Sequence, residues 1–314
     1  VITFSQLEYI VAVDTYRHYV TAAQKVFVTQ PTLSMQIKKL EENLGVLIFD
    51  RSKQPIVPTS VGEKIIAQAR ILLQEREKIS LVISDFQGKV SGDLKVGIIP
   101  TLAPHLVPRF VGDFIRAYPE VNLQIRELKT DEMLVQLQKD LIDVGILVTP
   151  LESENLKEIP LFYEELKLYL TDNHPCIQQF EVSFKDIDLS EIWLMDEGHC
   201  FRNQVYNFCK LHTISNSQLP FRYESGSLEM LRKLVDTEGG FTLLPELATL
   251  NLNTFEQKQV KNLKGIVPLR EVSLVYGRSF VKEKLLHLLE NQIKNSVPES
   301  MLDRYRGIVV EWQN

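Results

Sequence analysis

Two of the three cysteines, Cys200 and Cys209, stand nine positions apart, and His199 directly precedes the first. A thiol beside an imidazole at a helix start is placed to ionise or to organise a proton donor, and the thiolate is the form that attacks an oxidant. Phe201, Val205 and Phe208 fall at i, i+4 and i+7, so the segment between the cysteines reads as an amphipathic helix. Nine helical residues put the two sites ~13 Å apart along the axis, whereas a disulfide needs Cα atoms within about 7 Å. If the helix holds, the sulfurs cannot bond without unwinding it. Judged on spacing alone, the plainer reading is favoured: two half-buried thiols with no joint role. Cys176, in Asn173-His174-Pro175-Cys176, has no evident partner. Without paired C-x2-C spacing, neither zinc nor any other metal is expected. Three cysteines in 314 residues make no disulfide framework.

A second group lies near the N-terminus. Thr29 is a candidate N-cap for a helix with Pro31 in its first turn, where the missing N–H costs nothing. Leu33, Ile37, Leu40 and Leu44 form its apolar stripe, and Gly45 can stop it. At 100° per residue Pro31, Met35, Lys38 and Lys39 face away from that stripe, with Ser34 on a flank. Gln30 and Ser34 can hydrogen-bond base edges or phosphates, Met35 offers apolar contact, and Lys38, Lys39, Arg51 and Lys53 can neutralise phosphates. Paired lysines alone more often make a solvated helix face. The cap, the turn, Pro31 and a basic wing at 51–58 reverse that weighting toward DNA.

These groups need elements to hold them. Leu7, Ile10 and Val11 sit at helical spacing, and Thr21-x-x-Gln24 reads as a capping box for a second short helix, so residues 1–59 are expected to be a winged helix-turn-helix. Ser60-x-x-Glu63 reads as another capping box, opening a helix over 61–87 whose apolar residues recur about every 3.5 positions. At ~40 Å such a stripe needs a second helix to cover it, which predicts a homodimer through 61–87, with residues 60–90 as linker and hinge. Beyond Asp93, strands (94–99, 121–127, 142–148, 166–171, 192–195, 241–244, 272–276) alternate with helices (105–118, 131–139, 201–211, 227–237, 280–295). This predicts α/β architecture with a parallel sheet. Residues 91–314 are expected in two lobes around a cleft, about 91–163 plus 268–314 and about 164–267. The charge is uneven, +2 over residues 1–90 and −8 over the rest, for a net −6. That suits a chain that touches nucleic acid with one end. No apolar run reaches the roughly 18 residues a bilayer span requires, and no secretory leader pattern opens the sequence, so a cytoplasmic protein with no membrane contact is expected.

The run Ala22-Ala23-Gln24-Lys25-Val26-Phe27-Val28-Thr29-Gln30-Pro31-Thr32-Leu33-Ser34-Met35-Gln36-Ile37-Lys38-Lys39-Leu40-Glu41 and its continuation Leu44-Gly45-Val46-Leu47-Ile48-Phe49-Asp50-Arg51 resemble the winged helix-turn-helix of LysR-type transcriptional regulators. Glu197-Gly198-His199-Cys200-Phe201-Arg202, with Asn207-Phe208-Cys209, is similar to the redox segment of the OxyR group of peroxide sensors. Gly97-Ile98-Ile99-Pro100-Thr101 and Leu128-Lys129-Thr130 are similar to the same group. The resemblance implies a mixed fold, an N-terminal winged helix-turn-helix with a linker helix followed by a two-lobed, periplasmic-binding-protein-like α/β regulatory domain. It implies a bacterial, cytoplasmic activator that binds promoter DNA, works with RNA polymerase, is usually a tetramer, and uses no cofactor. Hydrogen peroxide would oxidise Cys200 to a sulfenic acid, Cys209 would condense with it, and a thiol reductant would reset the pair. Thr101, Thr130 and His199 would hydrogen-bond the peroxide. After Leu274-Val275-Tyr276 these sensors often carry an arginine; here Gly277 stands there and Arg278 follows. Two competing readings are a family member answering to a small carboxylate or metabolite in the cleft, and a thiol peroxidase. The winged helix weighs against the enzyme.

Overall fold

The computed structural model describes residues 1–86, 89–151, 153, 155–196, 199–209, 226–277 and 280–310. The chain divides into two compact units, residues 1–89 with 279–283, and 90–278 with 284–314.

The first unit begins with α1 (Phe4–Tyr16), α2 (Tyr19–Lys25) and α3 (Gln30–Leu44). Thr3 and Gln6 form a reciprocal capping box on α1 that the sequence reading missed. The expected Thr21/Gln24 box is corrected. α2 starts two residues earlier, its cap is the imidazole of His18, and Thr21 donates its backbone N–H to that ring. α3 has the expected ends: Thr29 accepts from the Thr32 N–H, and Gly45 closes the helix at φ +68°, a left-handed position that favours glycine. Strands β1 (Phe49–Asp50) and β2 (Val57–Pro58) pair antiparallel as a short wing. The long α4 (Ser60–Phe86) follows, and its cap also moves: the Thr59 hydroxyl, not Ser60, accepts the Gly62 N–H. Leu7, Ile10, Val13, Ala22, Leu33, Ile37, Leu40, Phe49 and Ile66 meet in one core. That core locks α3 against its neighbours and leaves its opposite face free.

The second unit runs β3 (Gly92–Ile98), α5 (Ala103–Ala117), β4 (Val121–Glu127), α6 (Thr130–Gln138), β5 (Val144–Thr149), β6 (Leu156–Leu170), β7 (Glu181–Val182), α7 (Cys200–Phe208), α8 (Leu228–Glu238), β8 (Phe241–Pro245), α9 (Glu246–Thr249), α10 (Thr254–Gln259), β9 (Val260–Leu263), β10 (Pro268–Gly277), α11 (Glu283–Ser296) and β11 (Ile308–Val309). β3 lies parallel to β4 and β5, but β10 runs antiparallel to both β5 and β6. The sheet is therefore mixed, which corrects the all-parallel expectation. β6 is also far longer than the expected 166–171. Its first ten residues pair with β10, and residues 166–170 turn to β8 and β9, so one strand serves two sheets. The expected strand at 192–195 is a single bridge from Ile192 to Phe241. A separate core gathers Leu168, Tyr169, Trp193, Phe201, Val205, Cys209, Leu231, Val235 and Phe241. Both fold predictions of alternating elements and of a two-part regulatory domain meet this architecture.

Candidate functional site

In the first unit α3 presents Gln30, Pro31, Met35, Lys38 and Lys39 to solvent, with Ser34 half-buried beside them and Thr29 exposed at the cap. Lys38 reaches Glu42 only at 3.9 Å across an exposed i,i+4 pair, so its charge is available to an anion. Lys53 is exposed on the wing. Arg51 has a second job. It pairs at 2.7 Å with Glu41, which is buried and also accepts the Ile48 and Phe49 N–H groups, tying the wing to α3. Phe27, in the turn before α3, has φ +57° and stands 95% exposed, which the sequence pattern did not single out.

In the second unit Thr101 follows β3, Thr130 opens α6 after β4, and His199 caps α7, with Cys200 as its first residue. All four side chains are buried. Burial pushes the Cys200 thiol up; against it work, in order, the Thr130 hydroxyl, the Arg270 guanidinium and the backbone N–H groups of Phe201 and Cys200 at the helix start. The Thr130 hydroxyl meets no hydrogen-bond geometry with any other described group. His199 is held below the usual imidazole range by desolvation, so its ring is neutral. Its Nε2 lies 3.0 Å from Asp196 Oδ1, but off line for a hydrogen bond, and Lys129 Nζ reaches the other carboxylate oxygen of Asp196 at 3.2 Å. Gly226 packs against this pair: a Cβ there would stand 3.2 Å from His199 Nε2.

Arg270 is the group the sequence reading missed. It is fully buried on β10, donates from Nε to Glu164 Oε1 at 2.6 Å and from Nη1 to Thr101 Oγ1 at 3.2 Å, and its guanidinium lies 5.4 Å from the Phe201 ring centre. It therefore brings Thr101 into the same cluster as Thr130 and Cys200. The available signal was faint: Arg270 stands beside Glu271 in a strand of mostly apolar residues, where a buried charge must find a partner. The expected arginine region offers less: Gly277 ends β10, and Arg278 lies outside the described residues, as do Glu197 and Gly198.

Cys209 closes α7, its N–H bonded to the Val205 carbonyl, and its thiol is pushed up to about 12 by burial in the core. Both cysteines are free and the helix between them is continuous. The ~13 Å rise thus stands in the structure, with α7 spanning Cys200–Phe208, while 210 and 211 of the expected helix lie outside the described residues. Cys176 is also free and buried, its thiol directed at the Asp186 carbonyl at 3.5 Å. Among the described residues no cluster of three His, Cys, Asp or Glu side chains is arranged to hold a metal.

Residues 4–63 match the bacterial regulatory helix-turn-helix model of the lysR family, and residues 87–296 match the LysR substrate binding domain. The chain belongs to the LysR family. This LysR-family chain is 34% identical over 272 residues to the hydrogen peroxide-inducible genes activator of Haemophilus influenzae, covering 86% of this chain and 89% of that one. It is 36% identical over 242 residues to the DNA-binding transcriptional dual regulator OxyR of Escherichia coli, covering 77% of this chain and 78% of that one. A solved full-length OxyR variant from Pseudomonas aeruginosa superposes with a TM-score of 0.76 at 30% identity, covering 94% of this chain and 98% of that one.

Proposed function

We propose that this LysR-family protein is a DNA-binding transcription activator that senses hydrogen peroxide with Cys200 and is switched by a reversible Cys200–Cys209 disulfide. The observation that carries the reading is a buried thiol at the start of α7, flanked by the Thr130 hydroxyl and Arg270, with a second free thiol at the far end of the same helix. The Cys200 thiolate attacks one peroxide oxygen, leaving a sulfenic acid and hydroxide. Cys209 then displaces water from the sulfenic acid, so two thiols and one peroxide become a disulfide and two waters. Because α7 keeps the sulfurs apart, the bond forms only as the helix unwinds, and the remodelled segment is the signal. Two thiols of an external reductant reverse it. Thr101, Thr130 and His199 are assigned to peroxide binding: two hydroxyls and a neutral imidazole supply the donors and acceptors that a small, uncharged, hydrogen-bonding oxidant needs.

In the winged helix-turn-helix Gln30, Ser34 and Met35 face the bases, Pro31 shares their exposed face, and Thr29, Lys38, Lys39, Arg51 and Lys53 fix the head on phosphates. Along α4, Ile71, Leu72, Ile79, Val82 and Phe86 leave apolar surface exposed, which supports a homodimer through 61–87, and we assign a tetramer on promoter DNA that engages RNA polymerase in the bacterial cytoplasm. No helix among the described residues is long and apolar enough to cross a membrane. Peroxide is consumed once per signalling event, not turned over as a substrate. Non-reducing peptide mapping before and after one equivalent of peroxide, with footprinting of the same samples, tests the proposal. A Cys200–Cys209 peptide and an altered footprint are expected. Absence of the link favours a metabolite in the cleft, and sustained peroxide turnover favours an enzyme.

A further inference from the structure

We propose that Glu164 is an electrostatic brake on the sensing thiol: its buried carboxylate holds and neutralises Arg270, so that the guanidinium orders the site at rest without stripping the proton from Cys200. The inference rests on the peroxide reading of Cys200 given above. Glu164 and Arg270 are both fully buried, on adjacent strands β6 and β10, paired register-to-register as Arg270 opposite Glu164. The carboxylate uses both oxygens: Oε1 takes Arg270 Nε at 2.6 Å, and Oε2 takes the Leu247 N–H at 3.1 Å. The guanidinium is thereby fixed with Nη1 and Nη2 on the Thr101 hydroxyl and carbonyl, at 3.2 and 3.5 Å.

An arginine keeps its proton in a protein, so a buried one that faced only a thiol would draw out a thiolate as its counter-ion. Burial pushes the Glu164 carboxyl up, but the Arg270 guanidinium at 2.6 Å and the Leu247 N–H favour its charged form, so Glu164 supplies that counter-charge beforehand. Among the described residues, Glu246 faces Glu164 from α9 and is paired with Arg306; His105, on α5, feels Glu229, Arg270 and Arg109; His199 is held toward its neutral form, with Lys129 and Asp196 beyond it. Arg270 and Glu164 are therefore the charge pair that decides whether the Cys200 site is net positive or balanced. A protonated resting thiol is slow toward stray electrophiles, and a balanced site keeps it so.

Glu164→Gln keeps the size and one acceptor oxygen, puts an NH2 donor in place of the other, and removes the charge. In a background where Cys176 and Cys209 are serine, ultraviolet titration of the Cys200 thiolate should move at least one pH unit lower, about tenfold more thiolate at a given pH. Alkylation by iodoacetamide should accelerate to match. The double variant Glu164→Gln/Arg270→Gln should return the titration to or above the parent value. An unshifted or upward-shifted titration in folded Glu164→Gln overturns the brake. Should that variant fail to fold, reciprocity supplies the test in the parent chain. A carbon-13 label on the Glu164 carboxyl must report the ionisation of Cys200 and must lose that response in Cys200→Ser; a carboxyl indifferent to the thiol also overturns it. A downward titration shift without any gain in peroxide rate would instead leave the brake standing and remove the peroxide reading.

Discussion

The energetic link between α7 and the disulfide can be measured at Val205. This side chain is 1% exposed in the core that also holds Phe201 and Cys209. If the Cys200–Cys209 bond requires α7 to unwind, Val205 leaves that core in the disulfide form, and its packing stabilises only the dithiol form. Val205→Ala removes two carbons at ~0.8 kcal/mol each with a further cavity cost, offset by ~0.5 kcal/mol from the better helix propensity of alanine. The dithiol form should lose about 1.5 kcal/mol and the disulfide form almost nothing. Destabilising the dithiol side makes the disulfide harder to reduce, and since 1.4 kcal/mol corresponds to about 30 mV for a two-electron couple, the reduction potential should become roughly 30 mV more negative. Equilibration against graded dithiothreitol buffers, with the linked peptide quantified by mass spectrometry, gives the potential. Urea unfolding of the reduced protein gives the stability loss. A reduced protein weakened by the expected amount but with an unchanged potential would refute the reasoning, because Val205 would then be equally packed in both redox states.

Lys38→Ala should weaken binding to every DNA sequence by a similar factor and flatten the slope of log affinity against log salt by about 1, with folding unchanged, as its pairing with Glu42 is an exposed 3.9 Å contact; an unaltered slope would place Lys38 away from the phosphates. Arg51→Ala should differ by also costing about 1 kcal/mol of stability in urea, since its partner Glu41 is buried while Arg51 itself is partly solvated; equal melting of the two variants would remove the wing-tying role. Because burial raises the Cys200 thiol, the thiolate fraction below its pKa grows about tenfold per pH unit, so stopped-flow peroxide rates should climb with pH through neutrality, and a flat profile would contradict a protonated resting thiol.

Local chemistry written along the chain was readable without coordinates. Thr29, Pro31 and Gly45 mark the ends of α3 because caps and left-handed positions depend on residue type within one turn. The apolar phase of Leu33, Ile37 and Leu40 likewise dictates which face of α3 stays outside. Phe201, Val205 and Phe208 announce a helix between two cysteines, and from the rise of a helix follows the separation of their sulfurs. Where two signals of equal local quality competed, the choice was tertiary: His18 takes the cap of α2 because Ala22 and Ala23 must turn into the core, displacing the Thr21 pattern. Contacts between segments distant in sequence were decided only by the fold. Arg270, Glu164 and Thr101 lie up to 169 positions apart, and nothing local distinguishes Glu164 from Glu165 or Arg270 from Glu271. Strand register places one of each pair against its partner and the other elsewhere, and only in that dry setting do two ordinary charges acquire control over a thiol.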